Sequence, residues 1–133
     1  MPLTKTDIQV DRFQAALSYL VEYNGVNGAM ILDSEGLVIE HLNKDGVDAE
    51  QFSPLALLIL DQTSRVLGRM NEPVVQSMVV KNQNSWITFE RIDDLILMVR
   101  ANLTTDDLLK VRIGQAVDMI KQYLKERYPL LAR

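Results

Sequence analysis

His41 is the only histidine of this chain, and there is no cysteine. One imidazole without paired ligand spacing or an H-E-x-x-H run cannot build a metal site. No nucleophile and base are arranged around it either, so it is read as a surface residue at the end of a strand. The absence of cysteine excludes disulfides, thiolate catalysis and zinc–thiolate sites, and fits a reducing cytoplasm. Gly25-x-x-Gly28 has a suggestive spacing. It lacks the G-x-G-x-x-G pattern, and the chain has no G-x-x-x-x-G-K-[ST], so no nucleotide binding is expected. A helix stop and a strand entry account for both glycines. The acidic groups Asp33/Glu35, Asp45/Asp48/Glu50 and Asp93/Asp94/Asp106/Asp107 fall where turns and helix starts favour carboxylates. With Gly46 counted as position six of a calcium loop, Phe52 stands where the bidentate glutamate belongs. Asn102-Leu103-Thr104 matches a glycosylation sequon, but Thr104 or Thr105 is better read as a helix cap. Trp86, on a strand, reads as a partly buried sheet aromatic rather than a ligand-stacking group. The sequence thus offers no catalytic residue, no metal ligands and no cofactor motif. The expectation is a protein that is not an enzyme.

The elements that carry these residues follow from periodicity. A first helix is expected over about Asp7–Tyr23, because Phe13, Ala16, Leu17, Leu20 and Val21 share one face. Thr6 and Gln9 have capping-box spacing, with Asp11 a rival start. Asn24-Gly25 ends the helix. Ala29–Leu32 and Leu37–Leu42 read as a hairpin turning at Asp33–Gly36, where Gly36 supplies a positive φ and Asp33 and Ser34 can bond the turn backbone. A long helix follows over Ala49–Met70, with a central stripe of Phe52, Ala56, Ile59, Thr63, Val66 and Met70 flanked by Leu55, Leu60 and Leu67. Strands at Val74–Val80, Ser85–Arg91 and Leu95–Val99 are joined by the short turns Asn82-Gln83-Asn84 and Asp93-Asp94, so they should form an antiparallel meander. A last helix begins near Thr105 and ends before Pro129, with Leu109, Ile113, Ala116, Val117, Ile120 and Leu124 inward. Leu95–Val99 and Ala29–Leu32 are apolar on both faces. An antiparallel sheet with one wet face would alternate. Helices on both sides are therefore expected: an α+β, three-layer α/β/α sandwich.

The length of 133 residues fits one domain. No apolar run reaches the roughly 18 residues of a membrane span, so no direct membrane insertion is expected. The polar N-terminus does not read as a secretory signal. Net charge is −4 with scattered basic residues, which argues against a nucleic-acid partner.

Three features together resemble the Roadblock family, which includes dynein light chains and small-GTPase regulators of bacteria and archaea. They are Gly25-Val26-Asn27-Gly28-Ala29 leading into Ile31-Leu32-Asp33 and the Gly36 turn, the long apolar helix after a short acidic loop, and the meander ending in Leu95–Ala101 before the last helix. The resemblance covers about residues 8–126. Profilin-like and longin-like domains share parts of the layout, but longins normally begin with a strand. The resemblance implies a single Roadblock-like domain, residues 1–133, with one five-stranded antiparallel sheet, the long helix on one face and the terminal helices on the other. It also implies a dimer in which the third strands pair and the long helices lie side by side, and with the cysteine-free composition the expectation is a cytoplasmic homodimer. Known members bind small Ras-like GTPases as activators, exchange-factor components or membrane-recruiting scaffolds; others attach cargo or subunits to dynein.

The long helix carries more apolar surface than one sheet contact needs. Ser53, Leu57, Leu60, Ser64 and Gly68 form a second stripe with small residues that permit close helix approach. Leu58, Gln62, Arg65 and Arg69 form a third. Leaving Leu57 and Leu58 in water would forgo roughly 1.5–3 kcal/mol per side chain. The expected dimer interface is therefore Val75, Ser77 and Val79 on the strand, with Leu57, Ser64 and Gly68 on the helix. The expected partner-binding residues are Leu58, Gln62, Arg65 and Arg69. The expected function is binding of a small Ras-like GTPase and modulation of its cycle, in the manner of an activator. A structural adaptor of the dynein-light-chain type is the alternative, and a small-molecule sensor the third reading.

Overall fold

The computed structural model describes the backbone of residues 5–102 and 107–127, and the side chains of 12–102 and 107–126. In chain order the elements are α1 (Lys5–Val21), β1 (Val26–Asp33), β2 (Val38–Asn43), α2 (Ala49–Arg69), β3 (Ser77–Lys81), β4 (Ser85–Ile92), β5 (Leu95–Asn102) and α3 (Leu108–Arg127). The side chains of Thr6, Gln9 and Asp11, the caps expected at Thr104 and Thr105, Asp106 and the Pro129 stop lie outside the described residues. Phe13, Ala16, Leu17, Leu20 and Val21 are all buried, as the periodicity of α1 requires. Gly25, at φ 100°, turns the chain from α1 into β1. The hairpin closes on one side chain. Asp33 Oδ1 accepts from the backbone N–H of Glu35 at 2.9 Å and of Leu37 at 3.0 Å. Gly36 takes φ 87°. Asp33, rather than Ser34, supplies the turn's side-chain acceptor.

The five strands form one antiparallel sheet in the order β2-β1-β5-β4-β3. Alternation along β1 and β5 explains their continuous apolar runs. Ala29, Ile31, Leu97 and Val99 point to the α1/α3 layer, where they pack with Phe13, Leu17, Leu20, Ile113 and Ile120. Met30, Leu32, Ile96 and Met98 point to α2, against Ala56 and Leu60. The sandwich therefore has the expected three layers. In β2 the register shifts, with Leu32 opposite Val38 and Ile31 opposite Glu40, which leaves Ile39 as the extra residue of a bulge. That inversion lets Val38 join the α2 side and Leu42 the α1/α3 side, although both have even numbers.

Asp48 caps α2, its Oδ1 accepting from Glu50 N at 3.1 Å. Pro54 lies inside the helix and has no N–H to offer the Glu50 carbonyl; Ser53 Oγ approaches that carbonyl at 3.4 Å instead. The helix ends at Arg69 with Met70 as its cap, and Asn71 just beyond adopts φ 64°. Its inward face is Ala49, Ser53, Ala56 and Leu60, with Leu57 and Leu67 beside them. This differs from the expected central stripe. Ile59, Val66 and Met70 are exposed, as is Leu55. The small residues Ala49, Ser53 and Ala56 let the helix sit close on the sheet, and the larger apolar side chains are rotated toward one flank.

One polar clamp fixes the entry to α2. Arg100, on the α2 face of β5, crosses β1 at Gly28. It donates to Asp45 Oδ2 at 2.8 Å, Asp45 Oδ1 at 3.0 Å and Asn43 Oδ1 at 3.2 Å. Its guanidinium also lies 5.9 Å from the centre of the Phe52 ring. A Cβ on Gly28 would come within 2.2 Å of Asn43 Oδ1 and 2.7 Å of Arg100 Nη2. Gly28→Ala is therefore expected to cost about 1–3 kcal/mol, because clamp and backbone must both shift. Arg100 holds the Asp45 carboxyl below its ordinary value, chiefly through the hydrogen bond. A carboxyl whose folded pKa is depressed contributes stability above its unfolded pKa of about 4 and loses it as pH falls through the folded value. Asp45 is 38% exposed, so this contribution stays within about 1 kcal/mol. Thermal melts should show Gly28→Ala below wild type at both pH 7 and pH 3. Asp45→Asn should be below wild type at pH 7, with the gap narrowing as pH falls to 3. A Gly28→Ala protein with an unchanged melting temperature would refute the clamp.

Candidate docking surface

β3 is an open sheet edge, and its hydrogen-bond phase can be read from its neighbours. Arg91 N donates to Gln76 O at 2.8 Å, and Asn82 N donates to Ser85 O at 3.0 Å. Both pairs fall on the β3–β4 register, in which Ser77 lies opposite Glu90 and Lys81 opposite Trp86. Pairs in an antiparallel ladder alternate between bonded and non-bonded. The backbone groups of Met78 and Val80 therefore turn inward to β4. Those of Ser77, Val79 and Lys81 turn outward, away from the sheet.

The flank of α2 on the β3 side is apolar. A groove of about 550 Å³ separates the end of α2 from β3, lined by Thr63, Leu67, Met70, Pro73, Val74 and Met78 among others. Along this flank Leu55, Ile59, Val66 and Met70 are between 43% and 64% exposed. Val80 is exposed too and, with the half-buried Met78 and Ile87, projects from the sheet's α2 face. Edge and flank together make one apolar step with open backbone groups along its lower rim.

The outward face of α2 is different in character. Leu58 is 53% exposed there. Gln62, Arg65 and Arg69 are exposed on the same face, and neither arginine makes an ion pair among the described residues. At 100° per residue these four side chains span one sector of the helix.

The residues expected in a dimer interface are dispersed. Ser77 and Val79 are at the open edge, and Ser77 Oγ donates to Glu90 Oε1 at 2.9 Å. Val75 precedes β3 and is buried in the α2-side core, at the floor of the groove between α2 and β3. Leu57 packs against that same core, and the nearest atom to a Cβ on Gly36 would be its Cδ2, at 3.0 Å. It therefore sits on the β2 side of α2. Ser64 and Gly68 follow Leu57 along that side. Ser64 Oγ is buried, with no hydrogen-bond partner among the described residues. Leu57, Ser64 and Gly68 thus lie on the flank away from β3, and one interface cannot contain both them and the edge strand. Ser53, one of the small residues that suggested helix–helix approach, is instead buried against the sheet, whereas Gly68 stays exposed. The opposite flank, Leu55, Ile59, Val66 and Met70, was visible in the sequence only as part of a core stripe.

His41 is exposed near the end of β2. Among the described residues no group of three or more His, Asp or Glu is placed to hold a metal ion, and no helix is long and apolar enough to cross a membrane.

Comparison with known proteins gives the fold a family. No curated protein sequence matches the chain. Among solved structures, MglB of Myxococcus xanthus superposes with a TM-score of 0.79 at 14% identity, covering 86% of this chain and 96% of that one. The gliding protein MglB of Thermus thermophilus gives 0.77 at 14% identity, covering 95% and 96%. A Roadblock/LC7 domain of Streptomyces avermitilis gives 0.74 at 21% identity, covering 83% and 95%. The Roadblock/LC7 domain model matches residues 13–101, from α1 through β5, and on that match the chain belongs to the Roadblock/LC7 family.

Proposed function

We propose that the protein acts as one non-enzymatic domain, a homodimer that docks on a small Ras-like GTPase and modulates its cycle. The observation that carries this reading is the apolar step formed by the β3 edge and the flank Leu55, Ile59, Val66 and Met70. Native edges are normally blunted by charge, proline or a bulge. Here only Lys81, at the far end, does so. A second copy related by a two-fold axis would pair the outward groups of Ser77, Val79 and Lys81 with their own equivalents. It would also lay a second α2 against the exposed flank. The two outward faces, each with Leu58, Gln62, Arg65 and Arg69, would then form one platform. The resemblance to family members that bind small GTPases makes such a GTPase the partner of choice for that platform.

GTP turnover by a candidate GTPase, with and without the protein, is the direct test. A change in turnover that saturates with the protein, together with no GTP binding by the protein alone in calorimetry, is the expected result. Binding without any change in turnover would instead support a tethering adaptor. Tight GTP binding by the isolated protein would overturn the proposal.

A further inference from the structure

The face of the sheet opposite α2 holds a second groove, between the β3 edge and α3. It has a volume of about 210 Å³ and includes Trp86 and Thr88 from β4, Ser77 and Val79 from β3, and Lys110 from α3. Trp86 and Thr88 are at least nine-tenths buried, whereas Val79 is 45% exposed at the open side. The indole Nε1 of Trp86 is buried, with no hydrogen-bond partner among the described residues. Such a donor costs on the order of 1–3 kcal/mol until an acceptor reaches it. One cation lines the groove and a second lies beside its tryptophan. Lys81 Nζ lies 5.6 Å from the centre of the Trp86 ring. Lys110 is on the α3 wall, held by a loose 3.8 Å contact with the fully exposed Asp107. The groove's own carboxylate, Glu90, is occupied at its other end by Ser77 Oγ, at 2.9 Å. Trp86 and Glu90 are four residues apart on one strand, roughly 13 Å.

We propose that this groove receives an acidic side chain on an apolar segment of a partner polypeptide. The carboxylate enters between Lys81 and Lys110 and accepts the Trp86 Nε1–H, while apolar neighbours cover Val79. Charge complementarity selects the sign of the occupant. The chain as a whole carries −4, so attraction of an acidic segment needs a local cationic site rather than a general field. Exposed lysine side chains can swing off the ring without disturbing the core, which gives the carboxylate its path. The site lies on the layer opposite the α2 platform and stands independently of GTPase docking.

Trp86 is the only tryptophan, so the chain has a single indole N–H resonance. The test titrates the ¹⁵N-labelled full chain with a synthetic peptide of alternating leucine and glutamate, and separately with its leucine–glutamine counterpart. The expected result is a saturable downfield shift of the indole N–H with the glutamate peptide only. The double substitution Lys81→Glu with Lys110→Glu should weaken it about tenfold or more, and Lys81→Arg with Lys110→Arg should retain it. Both sites are exposed, so folding should survive; the amide spectrum and molecular mass verify this. Three outcomes would each overturn the proposal. One is an indole resonance that stays fixed while other amides move. Another is an equal response to the glutamine peptide. The third is the same shift with inorganic phosphate or with phosphatidylserine vesicles, which would make the groove an unspecific anion site or a lipid contact.

Discussion

Replacing Ile59 and Val66 together by aspartate is expected to turn the proposed dimer into a folded monomer. Both side chains are exposed within one chain, so the monomer core loses nothing. Both point to the flank that a second α2 would cover. Two carboxylates forced into a closed apolar interface must be desolvated without partners, which costs several kcal/mol. Even about 4 kcal/mol raises a dissociation constant roughly a thousandfold. Light scattering at micromolar concentration should therefore give twice the chain mass for wild type and the chain mass for the double variant. Ser77→Pro should act in the same direction. Its N–H points to the open edge, so proline removes a donor from the dimer ladder but none from the β3–β4 ladder. Gly68→Ala is the contrasting change. A Cβ there meets nothing within 4 Å, and the residue sits on the other flank of α2. It should leave the dimer intact and gain a few tenths of a kcal/mol or more from helix propensity. If Gly68→Ala dissociates the protein and the aspartates do not, the helices meet on the side of Leu57, Ser64 and Gly68 after all. A wild type of single-chain mass would remove the dimer altogether.

The contrast between these flanks shows what the sequence could and could not tell. The layers were legible because Leu95–Val99 and Ala29–Leu32 lack alternation, and only burial on both faces explains that. The hairpin was legible because Asp33 and Gly36 answer specific backbone needs of the turn. The rotation of α2 was not. Counted by size, the apolar residues centre on Phe52, Ile59, Val66 and Met70. Counted by fit to a flat sheet, they centre on Ala49, Ser53, Ala56 and Leu60, since small side chains shorten the distance between layers. A hydrophobic pattern alone weights the larger set and so turns the helix by more than half a quadrant. For a related reason, the burial of Val75 is not legible. It belongs to the apolar run before β3, but β3 begins only at Ser77, and the preceding segment tucks under α2. The Arg100 clamp had no sequence signal. It joins residues from β5, the end of β2 and the loop before α2, and only the Gly28 position between them hints at a crossing side chain.

Leu58→Asp, and separately Arg65→Glu with Arg69→Glu, should abolish docking of the GTPase while leaving dimer mass and melting temperature nearly unchanged. Neither arginine has an ion pair to lose among the described residues, and Leu58 is 53% exposed. Reversing two charges on a solvated helix face changes stability by about 1 kcal/mol or less, mostly through Arg69 in the last turn of α2, where a cation suits the helix dipole. Binding is more sensitive. An apolar anchor and flanking guanidinium groups are the kinds of residue that carry most of an interface's energy, and their loss costs about 1–4 kcal/mol, or roughly 5- to 1000-fold in affinity. The two variants also separate two contributions. Leu58→Asp removes apolar contact, and its effect should persist in high salt. The arginine reversal removes attraction for an acidic surface. Most of that effect should fade as salt shortens the screening length from about 10 Å at 0.1 M to about 3 Å at 1 M. Titration of labelled GTPase by fluorescence anisotropy at both salt concentrations measures this. If the variants unfold or lose the dimer, these residues pack rather than dock. If both bind as wild type does, the platform of α2 is not the docking surface, and the GTPase must be sought on the α1/α3 layer instead.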